Sequence, residues 1–115
     1  MINIAYKIIF VILLTSPQLS ARDMRALLFD GNCATCHFPT KADSAPSIQE
    51  IQTRYKDVFQ NKKDFVEYMS EWVAKPNMQR SLMSQAIKKY ELMPEMGYSL
   101  DTLKEISSYI YDTKF

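Results

Sequence analysis

Cys33-Ala34-Thr35-Cys36-His37 is the stretch on which the reading of this chain turns. It holds both cysteines and the one histidine of a 115-residue sequence. Structural zinc wants four protein ligands, usually Cys or His, and this chain cannot complete such a set. A thioredoxin-like redox pair normally sits in a βαβ context, for which the sequence has no strand pattern. A plain disulfide between Cys33 and Cys36 stays open for a secreted protein. It would close a very small loop and staple little.

The spacing has a more specific chemical use. Two thiols separated by two residues can each add to one of the two vinyl groups of a haem. A histidine directly after the second thiol then lies beneath the iron and can bind it as proximal ligand. Haem c, one group covalently bound through Cys33 and Cys36 with His37 on the iron, is the expectation. A large apolar cofactor would also supply core to a chain short enough to be marginal without one.

The surroundings of the motif fit that use. Lys7 precedes an uninterrupted apolar run, Ile8 to Leu14, and a polar stretch with Pro17 ends at Ser20-Ala21. This order reads as a secretory signal peptide over 1–21, with the mature domain at 22–115. The run is too short for a bilayer, which takes about 20 residues; an uncleaved anchor is the competing reading. Loss of Lys7 leaves basic and acidic residues in equal number. That balance gives no argument for nucleic-acid binding.

Helical periodicity recurs along 22–115, and period-two alternation is nearly absent. Helices are expected over 23–30 with Gly31 as a stop, 47–57 after Pro46, 62–74 with Asn61 and Asp64 as a start, 78–90, and 99–111 with Ser99 as cap. The expected inward faces are Ile48, Ile51 and Tyr55; Phe65, Met69, Trp72 and Val73; Leu82, Met83, Ala86, Ile87 and Tyr90; and Leu103, Ile106 and Ile110. Loops are expected at 37–46, 58–61 and 91–98. The aromatics in these stripes are read as core. The fold class is all-α, with four to five helices.

At this point the chain resembles the class I c-type cytochromes over nearly all of 22–115. CATCH carries the resemblance. So do Phe29, which is similar to the aromatic of the family's first helix, and Met93-Pro94, which resembles its distal methionine segment. Ser99 to Ile110, with the Tyr109-Ile110 pair, resembles its last helix. Residues 62–115 look particularly close to small periplasmic monohaem members. The resemblance implies the cytochrome c fold and a Pro46 carbonyl that accepts a hydrogen bond from the haem histidine. Arg25 departs from the family, which usually has glycine there, where the first and last helices cross. A crossing that is wider, shifted or arranged around Ala26 is expected. Gly31 and Gly97 are the only glycines, few for this family.

With no second histidine, bis-histidine ligation within one chain is excluded, and a thioether is the natural sixth ligand. Met69, Met78 and Met83 fall in helical stripes as core fillers. Met24 lies too close in sequence to the proximal side. Met93 and Met96 sit in the loop before the last helix. Met93, followed by Pro94 and 16 residues before Tyr109, suits the family pattern, and Met96 is next. The alternative is a five-coordinate iron.

Iron held by His37 and Met93 has no open position, so one-electron exchange is its available chemistry. The expectation is a monomeric periplasmic electron carrier, not an enzyme, that serves redox protein partners and has no stable membrane insertion after signal cleavage. Rival readings are a haem-based gas sensor or peroxidase-like protein with an open distal site, and a cytochrome subunit of a larger redox complex. Lys62, Lys63, Lys88 and Lys89 are read as solvated helix faces in preference to a docking surface.

Overall fold

Five α-helices and one 3-10 turn follow one another along residues 21–115, the part of the chain that a computed structural model describes, with side chains from Met24 onward. The expected leader, Ala21 apart, lies outside the described residues. The helices are α1 (Ala21–Asn32), α2 (Ile48–Val58), α3 (Lys62–Ala74), α4 (Ser84–Tyr90) and α5 (Leu100–Asp112), with the 3-10 turn Met78–Arg80 between α3 and α4. No strand occurs among the described residues, so the all-α expectation holds for them. No described helix is long and apolar enough to cross a membrane.

Three helices start where short polar side chains satisfy free amides. The Ser47 hydroxyl accepts from the Glu50 amide at 3.2 Å, Asn61 Oδ1 from the Asp64 amide at 2.9 Å, and the Ser99 hydroxyl from the Thr102 amide at 3.2 Å. Each such cap contributes about 1 kcal/mol.

Two expectations fail. Gly31 does not stop α1, because its backbone stays helical and only Gly97 of the two glycines has positive φ. The helix closes one residue later, where Asn32 Nδ2 donates to the Leu28 carbonyl at 2.7 Å and the amides of Cys33 and Ala34 share the Phe29 carbonyl at 2.8 and 3.2 Å.

The expected helix 78–90 is broken at 81–83. Asn77 Oδ1 takes the amides of Gln79 and Arg80, and the Ser81 hydroxyl takes that of Met83 at 3.0 Å. Tyr68 and Arg54 side chains donate to the carbonyls of Arg80 and Leu82 at 2.6 and 2.9 Å. Tertiary partners thus use the groups that a continuous helix would need. Met78, expected as a core filler, is 56 % exposed in the turn.

α3 packs most extensively on α5, and α1 also packs on α5. The core is Phe29, Ile48, Tyr55, Phe65, Met69, Ile106 and Ile110. Burial of a phenylalanine such as Phe29 or Phe65 stabilises by roughly 1.5–3 kcal/mol. Phe29 also meets Tyr109 and the terminal Phe115, with ring centroids 5.3 and 5.6 Å away. On α1 Leu27 is exposed and Phe29 buried.

Arg25 explains how α1 meets α5 without a glycine. Its Nη1 donates to Ser108 Oγ at 2.7 Å and to Asp112 Oδ2 at 2.9 Å. Lys62 Nζ reaches the same Asp112 oxygen at 2.7 Å, so α1 and α3 both hold the end of α5. The hydrogen bond from Lys62, aided by Arg25, keeps the Asp112 carboxyl below its ordinary range although partial burial opposes this. Gln52, polar and unexpectedly buried, completes the tie by donating from Nε2 to the carbonyls of Ile110 and Thr113 at 2.5 and 2.6 Å.

Candidate functional site

One apolar cleft collects the sequence-expected site residues. Cys33, Cys36 and His37 line it from the end of α1 and the turn that follows, and Met93 lines it from the loop between α4 and α5. Ile48 of α2, Val73 of α3, Ile87 of α4 and Leu103 and Ile106 of α5 supply apolar wall. α2 to α5 turn the apolar stripes that their period creates toward this space, while α1 reaches it only through Asn32 at its end.

The turn after α1 sets the donors. Cys33 follows α1 directly, and the amides of Cys36 and His37 both donate to the Cys33 carbonyl, at 3.3 and 2.8 Å. This tight turn keeps His37 on the same cleft wall as the two thiols. His37 Nδ1 lies 2.8 Å from the Pro46 carbonyl oxygen. A carbonyl can only accept, so Nδ1 carries the proton and the Nε2 lone pair is left free for a metal. Backbone bonds from Ile48 to the Phe38 carbonyl at 3.0 Å and from Gln49 to the Pro39 carbonyl at 2.9 Å hold the 38–47 loop that carries Pro46.

Both thiols are free, with Cys33 half-buried and Cys36 exposed. Burial, and then the neighbouring Cys36, push the Cys33 thiol up to about 11. At neutral pH it is protonated and a poor thiolate nucleophile.

Four methionines line the cleft: Met69, Met83, Met93 and Met96. Met69 is also core, at 3 % exposure, and Met96 sits at the rim, at 47 %. Met93 is half-buried. Met24 is exposed and does not line the cleft. Among the described residues no three His, Cys, Asp or Glu side chains gather as a metal site. The donors that could hold a cofactor are therefore one imidazole with a free Nε2 and thioethers, with two thiols as attachment points.

Sequence reasoning read the aromatic stripes as core and missed their second face. Tyr55, Trp72 and Tyr98 line the cleft as well. Burial, and then Tyr68, hold the Tyr55 phenol well above its ordinary range. The signal was present in the Ile48, Ile51, Tyr55 stripe, which lines the cleft throughout its length. Of the four lysines considered, Lys62 is tied to Asp112, while Lys63, Lys88 and Lys89 are exposed.

Comparison with protein-family models, with curated proteins and with solved structures returned no match.

Proposed function

We propose that this chain is a periplasmic monohaem c-type cytochrome of the class I fold that carries single electrons between redox proteins. The observation that supports it is the convergence of Cys33, Cys36, His37 and Met93 on one apolar cleft, with His37 Nε2 left free by the Pro46 hydrogen bond. A haem bound there supplies a one-electron iron couple.

The protein's own part in this reading follows from the residues. Cys33 and Cys36 hold the group by thioether bonds. His37 ligates through Nε2, and the Pro46 carbonyl fixes its ring and raises its basicity. Met93, on the same cleft as His37, would supply a thioether as the second protein ligand and so leave no open position for substrate. The aliphatic wall from Ile48 to Ile106 excludes water. Cys36 is exposed, so the attachment edge reaches the surface, where a partner can approach.

The test is expression with the native leader in a bacterium that matures c-type haem, followed by acid–acetone extraction of the periplasmic protein. The haem is expected to stay with the chain and to raise its mass by one haem. Complete release overturns the attachment. Rapid carbon monoxide binding by the reduced wild type would replace the carrier with an open-iron ligand binder.

A further inference from the structure

The segment 81–86 is a wall one residue thick. Leu82, Met83 and Ala86 line the apolar cleft, and the same three side chains line a polar groove outside it, between α2 and the start of α4. Glu50, Thr53 and Asp57, all exposed on α2, form the far bank of that groove. Solvent therefore stands on one face of the wall and the cleft on the other.

Little within the segment holds it in place. α4 is 7 residues long, and so short a helix is marginal on its own. Met83 at its start gives no side-chain cap. The amides of Ala86 and Ile87 both turn back on the Met83 carbonyl, at 3.0 and 3.2 Å, so the start of α4 goes where residue 83 goes. Two side chains from other helices fix the backbone just before it. Arg54 Nε donates to the Leu82 carbonyl at 2.9 Å, and the Tyr68 hydroxyl donates to the Arg80 carbonyl at 2.6 Å. Arg80 itself adds its guanidinium over the Tyr68 ring and an exposed pair with Glu71 at 3.9 Å, and such a pair contributes little.

We propose that Arg54 and Tyr68 are positioning residues: by pinning the wall they keep groove water out of the cleft and hold up the reduction potential of the iron there. This rests on the haem reading of the cleft. Ferric haem carries one more positive charge than ferrous haem, so water admitted through the wall stabilises the oxidised state and lowers the potential. Neither side chain lines the cleft, so each acts through Leu82 and Met83.

Redox titration and amide hydrogen exchange of the haem-loaded protein test this. Tyr68→Phe keeps the ring beneath Arg80 and removes only the hydroxyl. Arg54→Lys keeps the charge and puts a methylene where Nε donates. In both, the potential falls below that of wild type. In both, the amides of Met83, Ala86 and Ile87 exchange roughly tenfold faster, as loss of one hydrogen bond allows. The double variant falls further. Asp57→Asn, on the same groove but bonded to neither carbonyl, leaves exchange at the wild-type rate. A wild-type potential in both single variants, or unchanged exchange, overturns the pinning and leaves the carrier reading standing. A fall in Arg54→Met that Arg54→Lys and Tyr68→Phe do not share is an effect of charge and overturns it equally. A wild type that takes up no haem overturns the carrier. The wall is then judged by exchange in the haem-free chain: faster exchange in both variants supports the pinning, and equal exchange overturns it.

Discussion

The imidazole of His37 has one nitrogen to give. Its Nδ1 proton is committed to Pro46, so under the proposed haem reading the second ligand would decide the character of the iron. Met93→Ala is expected to abolish the weak charge-transfer band at the red edge of the oxidised spectrum, to lower the reduction potential and to open the iron to carbon monoxide. Absorption spectroscopy and a redox titration check it. Met96→Ala should keep the band; loss of the band there, and not in Met93→Ala, moves the ligand three residues along the loop. Met69→Ala should keep the band too and behave as a core truncation, costing about 2–5 kcal/mol in a urea titration, since Met69 is 3 % exposed. The residue scale was the most legible one. CATCH, a lone histidine and a loop Met-Pro pair single out side chains that the fold does bring to one cleft. Met78 was misread because helical spacing alone cannot show that the backbone leaves the helix.

Between the helices, Asp112 is the shared anchor of Arg25 and Lys62. Its carboxyl is held below the ordinary value near 3.8, so its contribution to stability is present above that pH. The contribution is lost as pH falls through the lower value of the folded state. Asp112→Asn should cost on the order of 1 kcal/mol or less at neutral pH, because the group is exposed and screened. Below about pH 4 the difference from wild type should shrink, as urea titrations at pH 7 and pH 3 would show. Helix starts at Asn61 and Ser99 were legible because caps are local chemistry, whereas the start near residue 47 was read from Pro46. The break at 81–83 was not, because Tyr68 and Arg54 reach it from other helices.

For the molecule as a whole, the cleft is bounded by every described helix, so a haem held there, as proposed, would act as part of the core. A chain with Cys33→Ala and Cys36→Ala, purified free of haem, should keep much of its far-ultraviolet helical signal. It should lose near-ultraviolet dichroism and a cooperative melt. A sharp melt in that chain would show that the protein packs its core unaided. The all-α class was legible at this scale from periodicity alone. The role of α5 as the element on which both α1 and α3 pack was not, because no local signal says which stripes will meet.

The contact between Arg25 and Ser108 spans 83 positions, and this bears on the order of assembly. A chain that is threaded through a membrane amino terminus first delivers Cys33 and Cys36 long before the helix that α1 rests on. Until that last stretch has crossed, Phe29 has neither Tyr109 nor Phe115 to cover it, and the vestibule around His37 lacks its floor. In a chain exported that way both thiols would be open to enzymes and reagents throughout passage, and the arrival of residues 100–115 would narrow that access to the exposed Cys36.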